Sequence, residues 1–217
     1  MDDDAQALAY SEADFSEPHD RFVAGFTSRF GQLTGGMVLD LGCGPADVTV
    51  RFALRQPACE IVGVDGSEAM LRLGRTRVAQ AGLTDRVRLE RRRLPDPDLA
   101  GAGVDVVISN SLLHHLHDPS VLWETVATCA RPAAAVFVMD LRRPPDETAV
   151  DRLVELYAAG APEVLRRDFR ASLCAAFEPV EVVAQLARAG LPELAVAAVG
   201  DRHLIVSGRL RRVGCAW

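Results

Sequence analysis

Short runs of apolar and β-branched residues alternate along the chain with longer segments whose apolar positions return every three or four residues. The runs are MVLDL (37–41), EIVGVD (60–65), RVRLE (86–90), VDVVISN (104–110), AAVFVMD (134–140), LAVAAV (194–199) and HLIVSG (203–208). Several are apolar at successive positions, the pattern of strands covered on both faces. The segments between them carry helix signals. Val48–Gln56 follows Asp47 as N-cap and stops before Pro57, and Glu68–Ala81 follows Ser67 and stops at Gly82. Further helices fit 119–130, 146–159 and 179–189, the last ending at Gly190. Alternation of this kind predicts a parallel α/β sheet. Only GDR separates Val199 from His203, too short for a helical crossover, so the last two strands should form an antiparallel hairpin.

Composition narrows the picture. The chain has 217 residues, 49% of them hydrophobic, enough for one sizeable core. No apolar run approaches the roughly 18 residues that span a bilayer, and the acidic start MDDDAQ is the opposite of a secretory leader, so a cytoplasmic protein without membrane contact is expected. The five cysteines, Cys43, Cys59, Cys129, Cys174 and Cys215, form no close C-x-x-C pair and read as reduced thiols. A net charge of −6 gives no general attraction for nucleic acid, and the basic spots Arg91–Arg93 and Arg209–Arg212 read as solvated faces.

In an open α/β sheet the ligand lies beyond the carboxyl ends of the strands. Those ends carry Asp40 with the Gly42–Asp47 bend, Asp65, Asn110 and Asp140. Gly42 and Gly44 let a ligand approach the backbone closely. A dinucleotide fingerprint needs glycine where Asp47 stands, and a carboxylate there repels a pyrophosphate. Asp40 and Asp47 suit ammonium and sulfonium groups instead, Asp65 is placed to accept from two ribose hydroxyls, and Met70 to cover an adenine face. The ligand that fits is S-adenosylmethionine (SAM).

Four stretches, VLDLGCGPADVT (38–49), IVGVDGSEAML (61–71), DVVISNSLLHHLHDP (105–119) and VFVMDLRRP (136–144), give the chain its family likeness. It resembles the class I SAM-dependent methyltransferases, in particular the UbiE-like small-molecule branch. The resemblance implies a Rossmann-like, seven-stranded, mostly parallel sheet with helices on both faces. It implies that Asp40, Gly42, Cys43 and Gly44 line the methionine end of the cofactor, Asp65, Gly66 and Met70 its ribose and adenine, and Asn110, Ser111 and Leu112 the reacting side. Three departures stand out: Ala46 replaces the third glycine of the bend, RPAAA replaces the usual K-P-G-G turn while keeping Pro132, and arginines follow the third strand where an acidic residue often meets the adenine amine. Asp96 is the displaced candidate there.

The same resemblance implies an N-terminal helical extension over 1–34 and a methyltransferase domain over 35–217 with a lid insertion near 146–177. In the first, a helix starting near Ser16 and Pro18 carries Phe22, Phe26 and Phe30 on one stripe, which reads as packing. Tyr10, Phe15 and His19 lie ahead of it and are candidate substrate contacts. In the second, Tyr157 and Arg167 are candidates, within or before EVLRRDFRASLCAAF, itself readable as an amphipathic surface helix. Arg142 and Arg143 follow Asp140 and could recognise an anionic acceptor. Methyl transfer by in-line displacement needs chiefly a positioned nucleophile and exclusion of water. Should the acceptor lose a proton, His115 is the first candidate base and Asp140 the second, with His114 and His117 as packing or capping residues. LHHLHD has no identifiable metal partners, so no metal is expected. The expected product is S-adenosylhomocysteine, and a second copy of the chain is a candidate partner. The alternatives are a SAM-binding module without turnover and a SAM enzyme with other chemistry.

Overall fold

A computed structural model describes residues 16–211. Tyr10, Phe15 and Cys215 lie outside the described residues. The elements follow the order α1 (Ser16–Phe30), β1 (Met37–Leu41), α2 (Asp47–Arg55), β2 (Glu60–Asp65), α3 (Glu68–Gln80), β3 (Val87–Arg91), β4 (Val104–Asn110), α4 (Ser120–Cys129), β5 (Ala130–Leu141), α5 (Glu147–Ala158), α6 (Glu163–Ala175), α7 (Pro179–Arg188), β6 (Ala195–Val199) and β7 (His203–Arg209). Short 3₁₀ turns occupy Pro97–Leu99 and Leu113–His115.

The seven strands form one sheet in the order β3-β2-β1-β4-β5-β7-β6. β1 to β5 run parallel, and β7 enters antiparallel between β5 and β6. The apolar runs divide between two cores because successive strand residues point to opposite faces. Leu39, Val107, Val136 and Val138 meet Leu122, Trp123 and Val126 of α4 and Val182 and Leu186 of α7 on one face. Val38, Val106, Ile108, Phe137 and Met139 meet α1, α2 and α3 on the other. The buried Trp123 also donates its indole N–H to Gln185 Oε1 at 2.9 Å, joining α4 to α7.

The aromatic stripe of α1 is packing. Phe22 meets Phe137 edge-on with ring centroids 5.0 Å apart, and Phe26 meets Phe52 at 4.7 Å. Gly25 sits where a Cβ would come within 3.0 Å of the Phe137 ring, so a side chain there would press on that ring. The segment 146–177, expected to form a lid, folds as α5 and α6, which share a small core of Val150, Leu153, Val154, Leu173 and Ala176 closed on Leu141. Boundaries differ from expectation in places: β5 starts at Ala130 rather than at 134, and Asp47 is the first residue of α2, its cap being Ala46 in a left-handed conformation, φ 59°.

Candidate active site

The loops after β1, β2 and β4 open on one cavity of about 490 Å³. Its floor is the glycine bend. Gly42 and Cys43 donate their backbone N–H groups to Val64 O at 2.9 and 3.0 Å, which fastens the bend to β2. Gly42, Gly44 and Ala46 have φ values of 72°, 51° and 59°. Glycine takes this region freely, whereas an alanine there costs on the order of 1 kcal/mol. A Cβ on Gly42 would come within 2.8 Å of Leu112 Cδ1, so glycine there also lets the β1 and β4 loops meet.

Asp65, at the end of β2, holds this floor in place. Its Oδ2 accepts from Gly44 N at 2.9 Å and its Oδ1 from Ser67 N at 2.8 Å. Each carboxylate oxygen has a second lone pair, and the side chain borders the cavity. Ser67 then caps α3, its hydroxyl accepting from Met70 N.

Asp40 is 2% exposed and accepts the Thr49 hydroxyl at 2.7 Å. Burial pushes its carboxyl up to about 7; the Thr49 bond opposes this and the charge of Asp65 adds to it. A cation beside Asp40 would favour its ionised form.

Asp47 also borders the cavity, but its charge is already matched. It pairs with His19 Nδ1 at 2.5 Å, Arg51 Nε at 2.8 Å and, at 3.9 Å, Arg77 Nε. Burial opposes ionisation, yet the bonds and charges of His19 and Arg51 outweigh it and hold the carboxyl down at about 2. Asp47, expected as a second carboxylate for the ligand, thus borders the cavity with its charge already paired. It ties α1 to the glycine bend, and His19 is part of this tie in the cavity wall.

On the β4 side, Asn110, Ser111, Leu112 and His115 border the cavity. Asn110 Oδ1 is buried with no hydrogen-bond partner among the described residues. Ser111 has φ 57°, the kind of local strain found where a chain is bent to serve a site. The His115 ring lies 4.0 Å from that of His114, centroid to centroid. Desolvation by the surrounding protein lowers His115 to about 4; the charge of His114 adds to this and that of Asp140 opposes it.

Asp140 corrects the expectation of a base. It is 1% exposed and does not border the cavity. Its Oδ1 meets His114 Nδ1 at 2.6 Å and Leu141 N at 2.8 Å, and its Oδ2 accepts from Leu113 N at 2.8 Å. Two of these three bonds fix the Leu113–His115 turn, which makes Asp140 and His114 positioning residues behind His115.

The expected substrate residues do not gather. Arg142 Nη2 donates to Asp201 O at 3.0 Å, and Arg143 donates to Ala176 O and Glu181. Tyr157 donates to Asp201 Oδ2 at 2.6 Å, with the Arg202 guanidinium 3.4 Å from its ring centre. Arg167 lies beside Asp168 in a separate depression against α5. None of these borders the cavity, where His19 is the sole member of that set among the described residues. Sequence reasoning missed Arg51 and Arg77 in the cavity wall and saw Arg93 only as part of the arginine run after the third strand. Arg51 was signalled by its i,i+4 spacing from Asp47; the other two arrive through tertiary packing.

The donor set fits a SAM-like group: a buried Asp40 for a cation, a glycine floor, Asp65 for hydroxyls and an unsatisfied Asn110 oxygen. Residues 38–155 match the family described as methyltransferase domain, which is more than half of the chain. The chain belongs to that family, within the class I SAM-dependent methyltransferases. A ubiquinone biosynthesis O-methyltransferase of Acinetobacter baumannii (strain ACICU) is 31% identical over 120 residues, 54% of this chain and 48% of the relative. One from Bordetella parapertussis is 31% identical over 167 residues, 74% of this chain and 64% of the relative. The chain thus spans about half the length of the first and under two thirds of the second. Among solved structures, a SAM-dependent methyltransferase from Aquifex aeolicus superposes with a TM-score of 0.70 at 19% identity, covering 96% of this chain and 98% of that one. An O-methyltransferase family protein from Burkholderia thailandensis gives 0.70 at 17% identity, covering 95% and 59%. These likenesses agree with the expected fold. No helix among the described residues is long and apolar enough to cross a membrane.

Proposed function

We propose that the chain binds SAM in this cavity and transfers its methyl group to a hydroxyl of a small molecule. The observation that carries the reading is Asp40, a carboxylate 2% exposed, bordering the cavity and raised to about 7. A site for a phosphate or an uncharged ligand has no use for such a group, whereas a ligand ammonium restores its charge. Bound SAM supplies a methyl group already activated by positive sulfur.

The chain's own residues then bind, orient and exclude water. Asp40 receives the ammonium, the free lone pairs of Asp65 receive the ribose hydroxyls, and Asn110 Oδ1 offers an acceptor on the reacting side. His115, neutral at physiological pH, accepts a hydrogen bond from the acceptor hydroxyl, which orients it, and takes up the proton that the oxygen gives up on methylation before passing it to solvent. The Asp140–His114 pair keeps that turn rigid. α6 packs beside the turn and supports the reading of α5 and α6 as the cover of the acceptor side. An oxygen acceptor is supported by the relatives named O-methyltransferases.

Calorimetry with SAM and S-adenosylhomocysteine, followed by mass spectrometry of products from a panel of hydroxylated metabolites, tests this reading. Saturable binding and a methylated product are expected. No binding of either nucleoside would sink the cofactor assignment, and binding without turnover on any acceptor would favour a regulatory module.

A further inference from the structure

Polar ties hold the first turn of α1, which precedes that helix's aromatic anchors Phe22 and Phe26. On its cavity flank His19 and Asp20 meet Asp47 and Arg51. On another flank Glu17 Oε2 lies 3.7 Å from Arg202 Nη2, and Arg21 Nη1 lies 2.9 Å from the point where a Cβ would sit on Gly200. The α5–α6 pair has its own small core on Leu141, apart from the two cores that hold the sheet. Tyr157, one residue from the end of α5, reaches back to the body of the protein. Its hydroxyl donates to Asp201 Oδ2, and the Arg202 guanidinium lies over its ring, 3.4 Å from the centroid.

Both ties end on Arg202, in the turn between β6 and β7. Its side chain is 9% exposed, with Asp201 Oδ1 3.3 Å from Nη1. A guanidinium taken out of water needs its charge matched. Glu17 of α1, Asp201 of the turn and the π face of Tyr157 of α5 share that task. Moving either helix away leaves a buried cation short of a partner, so the two helices are held in place together rather than separately. Packing alone makes no such demand, and methionine would serve it.

We infer that Arg202 is a positioning residue that couples two walls of the site: a ligand that draws α1 onto the glycine bend also seats α5, and with it α6, over the acceptor side. Cofactor binding thereby prepares the acceptor side, and by linkage a seated α5 strengthens the hold on the cofactor. This rests on the SAM reading above and gives it a sequence of closure, through two residues that do not border the cavity.

Hydrogen exchange read by mass spectrometry, with and without saturating S-adenosylhomocysteine, tests this on the wild type, Tyr157→Leu and Arg202→Met, with calorimetry to establish binding. In the wild type the ligand should slow exchange by about fivefold or more over both 16–25 and 147–158. In each variant it should still slow 16–25, while its effect on 147–158 disappears. Tyr157→Phe keeps a ring under the guanidinium and should retain a slowing of about twofold or more over 147–158. Tyr157 is 44% exposed, so its variants keep the fold, and Tyr157→Leu decides the matter should Arg202→Met not fold. Undiminished slowing of 147–158 in a folded variant would overturn the inference, since the signal then travels through the Leu113–His115 turn and α6. Absence of any slowing there in the wild type would overturn it too. In both of those outcomes S-adenosylhomocysteine still binds, leaving the SAM reading intact. If the ligand does not bind the wild type, the SAM reading fails and the inference falls with it.

Discussion

Oδ1 of Asp140 lies 2.6 Å from Nδ1 of His114, and the same carboxylate accepts the backbone N–H groups of Leu113 and Leu141. The end of β5 thereby sets the conformation of the loop that follows β4. Replacing Asp140 by Ala strands three buried donors, and the expected loss is about 3–5 kcal/mol in urea denaturation. Asp140→Asn keeps an acceptor and should cost less, about 1–3 kcal/mol. If Asp140→Ala unfolds at the wild-type urea concentration, the carboxylate does not hold the turn.

Asp40 opposes stability in the unliganded protein. Its folded value of about 7 exceeds the ordinary 3.8, so between these pH values the native state keeps a proton that the unfolded state has lost. Stability contributed by this group is present below pH 4, declines as pH rises towards 7 and is level above, by up to about 4 kcal/mol. Asp40→Asn should roughly match the wild type at pH 4, exceed it by about 4 kcal/mol at pH 8, and lose SAM affinity. Urea titrations at the two pH values give the answer; equal stabilities at pH 8 would contradict the raised value.

The two other cavity carboxylates should separate cleanly. Asp65→Ala removes a charged acceptor and releases Gly44 and Ser67, so SAM affinity should fall by about 30- to 150-fold. Asp47→Asn loosens the α1 tie, and its affinity loss should stay under about fivefold while stability falls by about 1–2 kcal/mol. Calorimetry on both variants checks this, and the reverse ranking would return Asp47 to the ligand.

His115 is uncharged above about pH 5. Its limb in a single-turnover methyl-transfer profile should therefore lie near pH 4, with no contribution from it between pH 6 and 8. This replaces the neutral-range limb expected of an ordinary imidazole base. His115→Ala should slow transfer by about 10- to 100-fold with SAM affinity unchanged. Full rate in this variant would leave positioning to other groups.

Arg142 is held by the Asp201 carbonyl outside the cavity. Arg142→Ala should leave the KM of any acceptor unchanged and cost about 0.5–1.5 kcal/mol of stability. A KM rise with stability intact would restore the anion-recognition role that its place in the sequence suggested.

Much of this architecture is legible in the chain. The bounds of β1, β2 and β4 coincide with the apolar runs MVLDL, EIVGVD and VDVVISN, because a strand buried on both faces leaves a continuous signature. The GDR turn likewise dictated the antiparallel pairing of β6 and β7. Strand ends also named Asp40, Asp65 and Asn110 as cavity residues. What sequence position could not tell is which partner each charge would meet. Asp47 and Asp140 sit where a ligand-facing carboxylate would sit, yet His19 and His114, distant in the chain, claim them. Arg93 was legible only as one arginine of the run after β3, since its place beside Gly66 depends on how the chain there folds back on the end of β2.

The place of β7 has a consequence for how the protein is made. β5 is an interior strand of the finished sheet, but its second neighbour pairs Ala135 with Arg209 and Leu141 with His203, contacts of long sequence separation. Until the ribosome has released β7, β5 is a bare edge rich in valine and alanine, with Phe137 and Met139 beside them. Such an edge pairs readily with another chain, so the nascent protein is most exposed to aggregation and most dependent on chaperones in this interval. Loss of β7 by truncation would prolong that state indefinitely and deprive Asp140 of the strand beside it, although every residue bordering the cavity would still be present.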